Sequence, residues 1–126
     1  MQKIEITRVA GGNYCGIEKG KNIVINRKEE WNALWKKLHH GFYPQPALPD
    51  IDFSRETILA VFMGTRSTGG YSIKISNIKE HEGKITAIIE TESPEPGEMV
   101  TMALTQPYHI VKINIAEKDI EFKKEK

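Results

Sequence analysis

Between Thr57 and Met63 the chain is apolar on both faces: Ile58, Ala60 and Phe62 alternate with Leu59, Val61 and Met63. A strand with one wet side shows a single apolar face. This one therefore reads as a central strand covered on both sides, by a helix on one and a second sheet on the other. The rest of the chain has to supply that covering. With 126 residues it is close to the commonest single-domain size, and one core suffices.

The helix is legible. Trp31, Leu34, Trp35 and Leu38 recur at i, i+3, i+4 and i+7, while Arg27, Lys28, Glu30, Lys36 and Lys37 take the opposite face. Asn26 is placed to cap it, with Glu29 reaching back in a variant of the capping box. Gly41 is placed to end it in the left-handed conformation. The spacing predicts a helix over 27–40, whose two tryptophans serve as core contacts beneath a sheet or, alternatively, as a ligand platform. Pro44, Pro46 and Pro49 then exclude regular structure up to Phe53. Phe42, Tyr43, Leu48, Ile51 and Phe53 are expected to pin this connector across the domain.

The remaining segments alternate with period two. Residues 3–9, 14–17 and 22–25 read as an opening antiparallel meander, with a hairpin turn at Glu18-Lys19-Gly20-Lys21. Tyr71, Ile73 and Ile75 alternate with Ser72, Lys74 and Ser76, and Glu80-His81-Glu82-Gly83 turns into residues 85–90. Residues 99–105 and 108–115 look like the last two main strands, split by Gln106-Pro107. The charged tail, 117–126, places Ile120 and Phe122 at strand spacing for an edge strand. The fold class is mainly β (α+β): an antiparallel sandwich-like or strongly bent sheet of about 7–8 strands carrying one amphipathic helix. Residues 1–126 form a single domain.

Composition removes several functions. Eighteen Lys+Arg against 17 Asp+Glu give a net charge of +1, too little to draw in nucleic acid or an anionic membrane without a focused basic face. The longest apolar run, Ile58 to Met63, is six residues, whereas a membrane-spanning helix needs about 20. Residues 1–5 hold no apolar signal core, so the sequence as written reads as cytosolic, and as exported or cell-surface if a signal has been removed. Cys15 stands alone, which excludes an internal disulfide, and it reads as an inert packed thiol.

The glycine-rich connection Gly64-Thr65-Arg66-Ser67-Thr68-Gly69-Gly70-Tyr71 is the leading candidate for a working surface. Three of its eight residues lack a side chain, so its backbone can lie close to a partner. Gly64 and Gly69 have the Walker spacing, but Gly70 and Tyr71 stand where that motif needs Lys and Ser or Thr, and a strand follows. Adjacent His39 and His40 splay about 100° apart on a helix and cannot share an ion. With His81 and His109 they read as structural or solvated. Asp50 and Asp52 read as turn or surface carboxylates. No catalytic residue, metal or cofactor is assigned. Loops at one end of a β-sandwich are where such domains meet partners, which selects Arg66, Thr68, Gly69, Gly70, Tyr71, Pro94, Gly97, Gln106, Pro107 and Tyr108.

A family resemblance accompanies this reading. The helix with Trp31 and Trp35, the Leu48-Pro49-x-Ile51-Asp52-Phe53 connector, Phe62-x-Gly64, Thr68-Gly69-Gly70-Tyr71-x-Ile73 and Thr105-Gln106-Pro107-Tyr108-His109 occur in this order. Over residues 28–113 the chain thereby resembles a PrcB-type C-terminal domain. The resemblance implies a non-catalytic subunit of a protease complex, in a family whose members are often exported or lipid-anchored. At loop level, Ser67 to Tyr71, Ser93 to Gly97 and Gln106-Pro107-Tyr108 are similar in order to the three loops that chagasin-type protease inhibitors present to a cleft. The leading Asn-Pro and the Arg-Pro-Trp of those loops are absent here.

The expectation is therefore a protein-binding module whose partner is a protein, a protease by the resemblance, with Tyr71 and Tyr108 as aromatic anchors. The alternatives are a small-ligand pocket beneath Trp31 and Trp35, or a small enzyme using Cys15 or a histidine with Asp50 or Asp52.

Overall fold

The computed structural model describes residues 2–114 and 119–125. In chain order the elements are β1 (Gln2–Lys3), β2 (Thr7–Gly12), β3 (Lys21–Ile25), α1 (Lys28–Leu38), β4 (Thr57–Phe62), β5 (Ser72–His81), β6 (Lys84–Glu92), β7 (Tyr108–Ile113) and β8 (Ile120–Lys124). They form two four-stranded sheets, β1-β5-β6-β8 and β2-β7-β4-β3. Pairing is antiparallel except between β6 and β8, which run parallel.

The two-faced run is the centre of the molecule. Every residue of β4 is buried, and the strand lies between β3 and β7. Ile58, Ala60 and Phe62 join Trp31, Leu34, Trp35 and Leu38 in a core beneath α1. Leu59 and Val61 join Val111 and Ile113 of β7 in a second core against Ile75, Ile78, Ile85, Ala87 and Ile89 of the other sheet. Alternation thus assigns each apolar β4 side chain to one of two cores. The fold is a helix on a sheet on a sheet.

The helix is two residues shorter than expected at its C-terminal end. Arg27, extended at φ −134°, occupies the N-cap without a side-chain hydrogen bond, so the cap expected of Asn26 does not form. Asn26 sits one residue too far back, and the first turn relies on Glu29 and Glu30 facing the helix dipole. At the other end His39 is the C-cap, its Nδ1 3.1 Å from the Trp35 carbonyl. Gly41, expected to end the helix, lies two residues past that cap, and its φ of +88° serves the turn closed by Phe42 N–H donating to His39 O at 3.0 Å. The connector that follows is held by its backbone. Trp31 Nε1–H donates to the Pro49 carbonyl at 3.1 Å and Trp35 Nε1–H to that of Pro46 at 2.9 Å. Ile51 and Phe53 pack against the core, and Phe42, though partly exposed, meets the buried His39 ring edge-on at 5.9 Å, whereas Tyr43 is 99% exposed and does not pin the chain.

The opening meander does not form. β2 pairs only with β7, and β3 only with β4, at opposite edges of their sheet. Residues 3–9 are not one strand either. β1 pairs with β5, and the chain then crosses to the other sheet, with Ile4 and Ile6 turned into the inter-sheet core. Residues 14–17, expected as a strand, are irregular, as are 99–105 apart from a single Arg66–Thr105 bridge. The β5–β6 hairpin turns at Glu82 and Gly83, both at positive φ, with a bulge between Ile75 and Asn77. Ile120 and Phe122 of β8 pack onto the inter-sheet core. Residues 115–118 and 126, which belong to the expected last main strand and charged tail, lie outside the described residues. Among the described residues, no helix is long and apolar enough to cross a membrane.

Candidate functional site

The glycine loop is laid flat against the segment that precedes β7. Arg66 and Thr105 exchange both backbone hydrogen bonds, at 2.7 and 3.0 Å, and Gly69 N–H donates to the Thr101 carbonyl at 2.8 Å. The Thr105 hydroxyl donates to the Thr68 carbonyl, also at 2.8 Å. Gly70, at φ +89°, lies so close to its neighbours that a Cβ there would sit 2.9 Å from Val100 Cγ1 and 3.0 Å from Pro94 Cβ. Loops 64–71 and 93–98 are thereby brought together. The Arg66 guanidinium stands 5.4 Å above the Tyr71 ring, within cation–π range.

A second piece of irregular chain, residues 13–20, acts as a strap beneath this loop. Asn13 O accepts from Gln106 N–H at 2.7 Å, Gly16 N–H donates to Leu38 O at 2.7 Å, and Glu18 O accepts from Thr65 N–H at 3.0 Å. The strap thus ties the end of α1, the Gln106 corner and the glycine loop into one unit. Close approach is what it needs from its glycines. A Cβ on Gly16 would lie 2.2 Å from the Lys37 carbonyl oxygen.

Of the residues singled out from the sequence, Arg66, Gly70 and Gly97 are exposed, and Thr68, Gly69, Tyr71, Pro94 and Gln106 are half-buried. Gly97, at φ +84°, forms an open tip with nothing within 4 Å of its missing Cβ. Pro107 is fully buried, with its carbonyl accepting from Met63 N–H at 3.0 Å. Tyr108 stacks on Phe62 with ring centroids 6.3 Å apart, and burial pushes its phenol pKa up. Both belong to the frame that carries the loops. The chain projects elsewhere: Met99, Met102 and Leu104 are 97%, 84% and 63% exposed on the strip bonded to the glycine loop. All three fall within residues 99–105, where the sequence predicts a strand. Their spacing of three and then two, flanked by Pro96-Gly97 and Gln106-Pro107, was the available sign that period-two alternation fails there.

The candidate chemical groups are scattered. Cys15 Sγ lies 3.8 Å from the Ile17 carbonyl and 3.6 Å from that of Gln106, and burial raises its pKa. Asp52 accepts from the Ser54 hydroxyl and amide and from Arg55, bonds that hold its carboxyl below the usual range. Asp50, His40 and His81 are exposed. His109 Nδ1 accepts from Ile75 N–H at 2.9 Å across the two sheets, and burial lowers its pKa, helped by Arg8 and Lys74. Trp31 and Trp35 are buried core residues. Among the described residues, no group of three or more His, Cys, Asp or Glu side chains is placed to hold a metal ion.

The Thr-Gly-Gly-Tyr turn and the Gln-Pro-Tyr corner, joined through residues 101–105, are what a family comparison bears on. Residues 57–114 match the PrcB C-terminal family model. The PrcB C-terminal stretch begins with the first residue of β4 and ends one residue after β7. It therefore contains both loops, the Met99–Leu104 strip and most of the inter-sheet core, whereas α1, its connector and the strap lie outside it. Comparison with curated proteins gives no match, nor does comparison with solved structures.

Proposed function

We propose that this protein is a non-catalytic protein-binding module, a subunit that stabilises or regulates a protease complex. The observation that carries the reading is the strip with Met99, Met102 and Leu104 turned outward while its backbone is fixed to the glycine loop. Exposed apolar side chains grouped on one short segment mark interaction surfaces, and methionine adapts to a partner's relief. Arg66 and Tyr71 add a cation and an aromatic ring beside it, the residue types that interface hot spots favour. The PrcB C-terminal match supports a protease complex as the setting. A non-catalytic role agrees with a buried Cys15 thiol of raised pKa and with His109 engaged as a neutral acceptor.

The test is affinity capture from the native host with wild type, Met99→Ser/Met102→Ser and Gly69→Arg/Tyr71→Ala, each first shown to be folded by circular dichroism. Recovery of a protease by wild type, and its loss in both variants, is the expected result. Equal recovery by all three, or recovery of no protease, would sink the reading.

A further inference from the structure

A second surface shares Arg66 and Tyr71 with the surroundings of the methionine strip. A cleft of about 570 Å³ opens between the two sheets, lined by the start of β3, the end of β4 and glycine loop, the adjoining ends of β5 and β6, and β8. Its apolar lining comes from Ile73, Ile89 and Phe122 of the inter-sheet core, and three cations, Lys21, Arg66 and Lys124, stand in its lining with one carboxylate, Glu92. That excess is local, since the whole chain carries a net charge of only +1. Three lysines elsewhere on these sheets are paired, Lys74 with Glu90, Lys84 with Glu121 and Lys112 with Glu56, whereas Lys3, Lys79 and Lys123 make no ion pair among the described residues. Among the described residues, no ion pair engages Lys21, Arg66 or Lys124.

We propose that this cleft binds an extended acidic peptide segment of a partner protein, its carboxylates meeting Lys21, Arg66 and Lys124 and its alternate apolar side chains seated on the apolar lining between the sheets. An extended chain points successive side chains to opposite sides, which matches a cleft whose lining is part apolar and part cationic. The two strands that flank it, β3 and β8, are the last in their sheets, and such edges offer backbone groups to an added strand. The proposal rests on the binding-module reading only for the owner of the peptide. The cleft's own chemistry stands without it.

The experiment is fluorescence anisotropy on the purified full chain, with a fluorescein-labelled octapeptide alternating glutamate and leucine. Saturable binding is expected, weakened by added salt because the cations are exposed to solvent. Reversing two of the three charges in Lys21→Glu/Lys124→Glu should weaken it roughly tenfold. Should that variant fail to fold, Lys124→Gln with Arg66→Gln asks the same question with smaller perturbations. Absence of saturable binding by wild type, unchanged affinity in the folded variant, or equal binding of a lysine–leucine octapeptide would each overturn the proposal. So would displacement of the peptide at equal potency by a single-stranded oligonucleotide, which would make the cleft a generic anion site. Capture of a protease is not part of this readout, so either reading can fail while the other survives.

Discussion

Gly16→Ala should be among the most damaging small substitutions in the molecule. The added methyl carbon would lie 2.2 Å from the Lys37 carbonyl oxygen, 3.1 Å from His40 Cβ and 3.3 Å from His40 N. An ordinary contact begins near 3.4 Å, so strap and helix end must part by about 1 Å, an overpacking strain of roughly 1–3 kcal/mol. The same displacement stretches the 2.7 Å bond from Gly16 N–H to Leu38 O, whose loss adds about 1 kcal/mol. The expected total is about 2–4 kcal/mol. For a chain of this length that lowers Tm by roughly 8–15 °C. Urea unfolding followed by tryptophan fluorescence measures it directly, since Trp31 and Trp35 are both buried in the core beneath the helix. Gly83→Ala is the comparison, because Gly83 has positive φ but open space around it and should cost about 1 kcal/mol from backbone strain alone. If Gly16→Ala proves no more destabilising than Gly83→Ala, the close approach of strap and helix is not what the geometry says it is.

Other expectations follow from burial and charge. His109 is neutral when it accepts from Ile75 N–H, and its pKa in the fold is held below the usual value of about 6.5. The unfolded chain therefore binds more protons between those two values. Stability should be fully present above about pH 6.5 and fall as pH drops toward and through the lowered pKa, a slope that His109→Gln should reduce in chemical denaturation at a series of pH values. Met99→Ser/Met102→Ser should shift stability by less than about 0.5 kcal/mol, because both side chains already stand in water. A larger loss in urea titration would give the strip a structural role. Cys15 should react with a thiol reagent at least about a hundredfold more slowly in the native protein than in denaturant, given its burial and raised pKa.

Periodicity made the interior of this protein readable. The apolar residues of β4 and the stripe Trp31, Leu34, Trp35 and Leu38 report burial directly, and both took the expected positions. So did the β5–β6 hairpin, whose turn and alternation are local. What alternation does not report is the partner. β2 and β3 are close in sequence yet lie at opposite edges of one sheet, because their ladders are made with β7 and β4, far along the chain. Residues 14–17 and 99–105 have strand-like composition but spend their backbone bonds on single contacts with the helix end and the glycine loop. The glycine loop itself was evident from composition. That Met99, Met102 and Leu104, rather than Pro107 and Tyr108, face outward depends on how the loop lies on its neighbour, and no local pattern encodes that.

Because every apolar β4 side chain belongs to one core or the other, loss of either core strips one face of that strand. Removal of the helix layer would expose one whole face of β4, and separation of the sheets would expose the other. Native-state hydrogen exchange should therefore find the β4 amides protected to the level of global unfolding, with the helix layer and the sheet pair lost in a single transition rather than in sequence.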